Sequence, residues 1–537
     1  MGNVNLRGKL TGIALSLLIV VVGPSVARDN YPRAADLDAI SYHIQISLND
    51  TDENISGETE ILFAAAGDLP KVVPLDFEGF TIDEVKENGQ PAQFSRSGRR
   101  LAIRLQGSYH RREGFTVSIR YHGSPQDGLY IKKNKYGDRT VFADNWPDRA
   151  HHWFPAIDHP YDKAQVEFFV TAPDKYDVVA NGDLAEVTSL QNGAKRWHWK
   201  ESVPIPVYCM VIGVAEFSVL KHGSWNNIPV YYYLFPKDRD WGIKDFGRSL
   251  QMLEFYSNLI GPYPYEKLAL VESSTRFGGM ENSSNIFFPE KSIDGSERQE
   301  GTVAHEIAHQ WFGDSVTESD WHQLWLSEGF ATYFSHLFFE RADGRDAFLS
   351  LMLADRDKLF HSTGVRRPIH DPSITDLFQL LNENNYQKGG WVLHMLRHLM
   401  GDHDFFEGIR DYYRSNRDRN ALTEDFQRVM ESHYGKRLDW FFKEWIYETG
   451  HPVYQVVWSW SDSKKELHLK VVQEQSGTLF TLPVDVEIKS EGGSKREVIL
   501  MDQRQQTFDF KLSSRPAAVV LDPGQWILKE ATVREEK

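Results

Sequence analysis

Residues 305–313 read His-Glu-Ile-Ala-His-Gln-Trp-Phe-Gly, and residues 325–331 read Trp-Leu-Ser-Glu-Gly-Phe-Ala. His305 and His309 stand four apart in a helical run, so both imidazoles share one helix face and can reach one zinc ion. Glu306 falls beside the position that such an ion leaves open. Glu328 follows His309 after 18 intervening residues and opens a second helical stretch. Structural zinc sites are closed by four protein ligands, whereas catalytic sites use three and keep one position for water. His305, His309 and Glu328 supply such a set. With 20 histidines in the chain, an HExxH also arises by chance on a surface helix, so the surrounding sequence has to carry the reading.

The surrounding chain changes texture twice. Period-2 alternation (Tyr42, Ile44, Ile46, Leu48; later Phe115, Val117, Ile119, Tyr121) is punctuated by Gly, Asn and Asp clusters and continues to about Phe217. That is the pattern of antiparallel strands with one buried face. From about Asp240 to about Tyr447 the period is helical, with Thr423 expected to cap a helix carrying Phe426, Val429 and Met430. Alternation returns at Leu467, Leu469 and Val471 after Gly450-His451-Pro452. The order is β-rich, mainly helical, β-rich, a multidomain α+β chain.

Composition narrows the function classes. The 537 residues carry 60 Lys+Arg against 76 Asp+Glu, a formal net charge of −16, and 13% aromatics. The acidic balance argues against nucleic acid as a partner. Cys209 is the one cysteine, so no intrachain disulfide framework and no cysteine metal cluster exist. At the N-terminus, Arg7 and Lys9 precede a 13-residue mostly apolar run, Leu10 to Val22, and Ser25-Val26-Ala27 is a small-x-small site. This predicts a signal peptide over residues 1–27, cleaved after Ala27, and export to a periplasm or the exterior. The run is shorter than the ~20 residues a spanning helix needs, and no other stretch suggests a transmembrane segment in the mature chain.

The whole set of motifs resembles the gluzincin zinc aminopeptidases, the family that includes aminopeptidase N and leukotriene hydrolase. The resemblance is carried by Gly278-Gly279-Met280-Glu281-Asn282, by His305 to Gly313, and by Glu328-Gly329-Phe330-Ala331. Tyr386-Gln387-Lys388-Gly389, Pro155-x-x-Asp158-x-Pro160-x-x-Lys163-Ala164, and Trp445 with Gly450-x-Pro452 extend it. It implies an N-terminal β-domain over 28–225, a thermolysin-like peptidase domain over 226–450 and a C-terminal β-sandwich over 451–537. It also implies a short form without the helical C-terminal domain of longer relatives.

The same resemblance assigns roles. One Zn2+ per chain is held by His305, His309 and Glu328, with Glu306 as general base and Tyr386 as oxyanion donor. Glu281 pairs with the free α-amine of a peptide substrate, and Gly278, Gly279 and Met280 form an edge that the substrate approaches. Relatives carry a Gln-x-Glu sequence on the N-terminal domain; here Asp144-Asn145-Trp146 stands there, so Asp144 is the substrate-binding candidate and Trp146 alters the pocket. His151 and His152, nearby, read as structural, because adjacent residues seldom converge on one ion. The function implied is an exported zinc aminopeptidase that hydrolyses the N-terminal peptide bond with an activated water. An inactive binding paralogue, an endopeptidase or an epoxide hydrolase on the same scaffold are the other readings. Glu281 disfavours the endopeptidase, because an internal bond leaves its carboxylate unpaired.

Overall fold

The computed structural model describes residues 29–67, 70–191 and 193–536; the expected signal peptide lies outside them. Strand Leu37–Ser47 buries Tyr42, Ile44 and Ile46 on one face, as its alternation requires. It pairs antiparallel with Ile55–Ala65 and parallel with Lys163–Pro173, Ser41 opposite Gln165 and Ser47 opposite Thr171. These strands sit at the centre of an eight-stranded sheet. A four-stranded sheet, built from Leu129–Lys133, Arg139–Ala143, Asp177–Ala180 and Ile212–Ala215, and a three-stranded one complete the N-terminal β region.

Ser218–Trp225 does not join those sheets. It forms a hairpin with Ile228–Leu234 across Asn226 and Asn227, both at positive φ. Leu268–Ser273 and Asn285–Pro289 then add in parallel, giving the sheet that backs the helices. A border at residue 225 therefore runs through a hairpin, whose two strands belong with the middle region.

The middle region is mainly helical from Arg239 to Tyr447. Its central helix, Trp325–Asp343, is buried on every side from Trp325 through Phe338, as a helix in the middle of a core must be. Thr423 is the first residue of its helix and not the cap. Its hydroxyl donates to Gln323 Oε1 and accepts from Trp325 Nε1 at 2.8 Å, while Asp425 Oδ2 accepts from the Leu422 N–H at 2.9 Å and caps the end. A partner from another element has taken the hydroxyl that the sequence offered as a cap.

Two sheets close the chain. Gln505–Lys511, Glu466–Gln473, Val453–Ser461 and Glu530–Glu535 form one, and Gly493–Met501, Leu482–Ser490 and Pro516–Leu521 the other. Their alternating faces bury Val456, Leu467, Leu469 and Val471 in the first and Val484, Val486 and Ile488 in the second, a β-sandwich core. Trp445, fully buried, packs on Phe480 with ring centroids 4.6 Å apart and joins the helices to this sandwich. No helix of the described residues is long and apolar enough to cross a membrane.

Candidate active site

The helix Glu300–His309 ends on its second histidine, and Glu328 lies in the first turn of Trp325–Asp343. His305 Nε2 and His309 Nε2 are 3.0 Å apart, and Glu328 Oε2 lies 3.1 Å from the first and 3.2 Å from the second. Ligands about 2.0–2.1 Å from one tetrahedral ion stand about 3.3 Å from each other, so the three atoms frame a single zinc position. The proton of His309 is placed by its other nitrogen. Nδ1 is 3.0 Å from the Phe312 carbonyl and 3.0 Å from Ser327 Oγ. A carbonyl only accepts, so Nδ1 carries the hydrogen and Nε2 presents its lone pair to the ion.

Glu306 and Glu281 lie beside that position in the same cleft. One ligand atom from each, together with one from His309, falls within 4.8 Å of the others. Burial, followed by repulsion from Glu328, raises Glu281 to about 7; burial, with repulsion from Glu281 and Glu328, raises Glu306 well above the carboxylate range. A divalent cation among these carboxylates reverses that direction, so the acidic surroundings and the His/His/Glu donor set both fit zinc.

Gly279 is required by contact. A Cβ there would overlap the Glu306 carboxylate, whereas one on Gly278 would meet nothing within 4 Å. Met280 exchanges both backbone hydrogen bonds with Phe287, each 2.9 Å, which fixes the 278–282 edge to the sheet. Gln310, fully buried, locks the following turn. Its Nε2 donates to the Glu281 carbonyl at 2.5 Å and to Asp314 Oδ2 at 3.0 Å, and its Oε1 accepts from Ser284 N and the Tyr263 hydroxyl. Asn282, Ser283 and Ser284 are fully buried, so the Asn-x-Ser pattern there is not a glycosylation site in the folded chain.

Tyr386 enters from a single π-helical turn, Asn384–Lys388, and its hydroxyl donates to Glu328 Oε1 at 2.6 Å. Burial and the neighbouring Glu328 carboxylate push this phenol well above its ordinary range, so it stays a proton donor at neutral pH.

A cleft of about 520 Å³ is lined by nine of the ten residues that the sequence singled out: Gly278, Gly279, Met280, Glu281, His305, Glu306, His309, Glu328 and Tyr386. The tenth, Asp144, is placed elsewhere. Its carboxylate is buried against Arg149 at 2.5 Å, and Arg149 also holds Asp127 at 2.8 Å. Trp146 and Phe277 form the cleft wall on that side, with Trp146 edge-on to Phe277 at 6.4 Å. Arg149 went unread in the sequence, as did Gln310 and Ser327. The last two lie inside the quoted stretches, and that position was their only signal.

Comparison with known proteins agrees with this geometry. The Peptidase M1 N-terminal domain matches residues 38–209 and the Peptidase family M1 domain matches residues 245–445. The chain belongs to peptidase family M1, the gluzincin family that its motifs resemble. It is 28% identical over 472 residues to the tricorn protease-interacting factor F2 of Thermoplasma acidophilum, covering 83% of this chain and 57% of that protein. It is 26% identical to a probable aminopeptidase 2 of Sulfurisphaera tokodaii, covering 84% of this chain and 59% of that protein. The chain thus spans less than two thirds of the length of these relatives. An M1 zinc metallopeptidase from Deinococcus radiodurans shares the fold, with a TM-score of 0.66 at 23% identity, covering 76% of this chain and 93% of that one.

Proposed function

We propose that this chain is a zinc aminopeptidase that removes N-terminal residues from peptides. The observation that carries the reading is the buried carboxylate of Glu281 beside His309 and Glu306. A buried carboxylate is costly unless paired, and a peptide that offers its free α-amine there has its first peptide bond at the reacting centre. An internal bond offers a neutral amide and leaves the charge unpaired. Zinc held by His305, His309 and Glu328 would supply a Lewis acid. Glu306 takes a proton from the attacking water and returns it to the leaving amine. The Tyr386 hydroxyl, released from Glu328 Oε1, donates to the oxyanion of the tetrahedral intermediate, a contribution of about 2–4 kcal/mol by analogy with other oxyanion donors.

The test is release of aminoacyl-anilides with and without a chelator, in wild type and in Glu306→Gln. We expect chelator-sensitive release, and loss of turnover in the variant with zinc still bound at one equivalent. No release from any anilide would sink the proposal, and an active Glu306→Gln would remove its base.

Export is part of the same proposal and rests on the basic, apolar and small-residue order of residues 7–27. Mass spectrometry of the protein expressed from its full sequence is expected to find Arg28 as the first residue outside the cytoplasm. An intact residue 1–27 segment on cytoplasmic protein would refute it.

A further inference from the structure

Away from the cleft, the short 3-10 turn Ala150–His152 lies against the loop that follows strand Val72–Asp76. Two backbone connections hold the segments together. Asp76 and Ala156 exchange hydrogen bonds of 2.7 and 3.1 Å, and the Glu78 N–H donates to the His151 carbonyl at 3.2 Å. Three side chains meet on this frame. Glu78 Oε1 lies 3.7 Å from His151 Nε2 and 3.5 Å from His152 Nδ1. The geometry points to a second metal site, formed by Glu78, His151 and His152, that takes a borderline divalent transition ion such as Zn2+.

Three features support it. First, the separations are those of ligands around an ion. Both exceed a normal hydrogen bond of about 2.7–3.2 Å, and both are close to the roughly 3.3 Å between tetrahedral zinc ligands. Second, His151 is oriented as a metal-bound imidazole is. Its Nδ1 lies 2.7 Å from Asp158 Oδ2, which also accepts the His151 backbone N–H at 3.0 Å. A hydrogen on Nδ1 satisfies that contact, and the neutral imidazole then turns its Nε2 lone pair toward Glu78, the carboxylate–histidine–metal arrangement. Third, the sequence objection that neighbouring histidines do not converge fails for a definite reason. His151 uses its distal nitrogen and His152 its proximal one, so one backbone turn brings both to the same point, with ring centroids 4.3 Å apart.

The site differs in character from the zinc position in the cleft. Glu78 and His152 are partly exposed, at 40% and 19% of their side-chain surface, whereas His151 is at 3%. Such a site leaves positions for water and exchanges its ion readily. It would tie the loop after Val72–Asp76 to the turn that follows Trp146, one of the residues of the cleft wall.

The experiment is calorimetric titration of Zn2+ into protein already loaded with one zinc equivalent, with metal content checked after equilibrium dialysis. Wild type is expected to take a second equivalent. Glu78→Gln and His152→Ala, both checked for wild-type thermal unfolding, should each weaken it at least about tenfold. Both should keep the first equivalent and the wild-type rate of anilide release. Co2+ in place of zinc should give a second visible absorption band set in wild type only. A single equivalent in wild type, or a second one undiminished in both variants, would overturn the assignment and leave Glu78 as an ordinary ion-pair partner of the two histidines.

Discussion

His309 is held in one proton state by neighbours that belong to different stretches of sequence. The Phe312 carbonyl comes from its own chain turn, and Ser327 Oγ comes from the residue before Glu328. Partners of this kind orient a ligand and raise its basicity, and their loss costs about 10–100-fold in metal affinity. Ser327→Ala removes one of the two acceptors with little change in volume. Zinc retention against a competing chelator is expected to weaken by about tenfold or more, while turnover at saturating zinc stays close to wild type. Unchanged retention would show that the Phe312 carbonyl alone fixes the ring. At this scale the sequence was informative wherever chemistry imposes a spacing: His305, Glu306, His309 and Glu328 follow from helix periodicity and ligand count. Glu281 and Tyr386 needed the family resemblance, because nothing local distinguishes them from a surface acid or a packing phenol. Arg149 and Asp144 were beyond its reach. Their pairing at 2.5 Å depends on how the 144–149 turn folds back, and no residue pattern records that.

At the scale of elements, alternation located the strands well, because a half-buried strand must alternate. The helix Trp325–Asp343 is harder to read, since burial on all sides removes the polar stripe that marks a surface helix. Its placement came from Glu328 and not from its periodicity. The turn that presents Tyr386 had no readable signal of its own. Asn384–Lys388 is a π-turn, a local widening that recurs at functional sites. It leads directly into Gly389, whose backbone meets that of Gly329: a Cβ on Gly329 would come within 2.8 Å of the Gly389 Cα. The two helices approach backbone to backbone at this point, which is what brings the Tyr386 hydroxyl to Glu328. Two glycines 60 positions apart, each unremarkable in its own neighbourhood, set that approach.

Across the whole molecule the β, helical, β order was legible, but the ties between the parts were not, because each joins residues far apart in sequence. Lys163, on a strand of the N-terminal sheet, reaches into the loop that follows the zinc-site helix and donates to the carbonyls of Asp314 and Ser315, each at 2.7 Å. Loss of hydration pulls this lysine down to about 8 from an ordinary value of 10.5, against the smaller opposing pull of Asp418 and Asp314. Below about 8 both folded and unfolded chains hold the proton, and the full cost of its burial is present. Between about 8 and 10.5 the folded chain has released a proton that the unfolded chain retains, so unfolding takes one up. The stability contributed at this position therefore rises with pH across that window, by at most about 1.4 kcal/mol per pH unit. Lys163→Met abolishes the titration and also strips two carbonyls of their donor, which costs about 1–3 kcal/mol for a buried acceptor left unpaired. Denaturant unfolding of zinc-saturated wild type and Lys163→Met is expected to show wild type gaining stability relative to the variant as pH rises. The unfolding free energy of wild type minus that of the variant should increase from pH 7.5 to 9.5. Titrating groups that do not interact with Lys163, Lys267 among them, act on both proteins alike and cancel in the difference. A difference that stays constant over those two pH units would mean that Lys163 keeps its ordinary proton affinity, and with it enough water to make the tie between sheet and loop a surface contact.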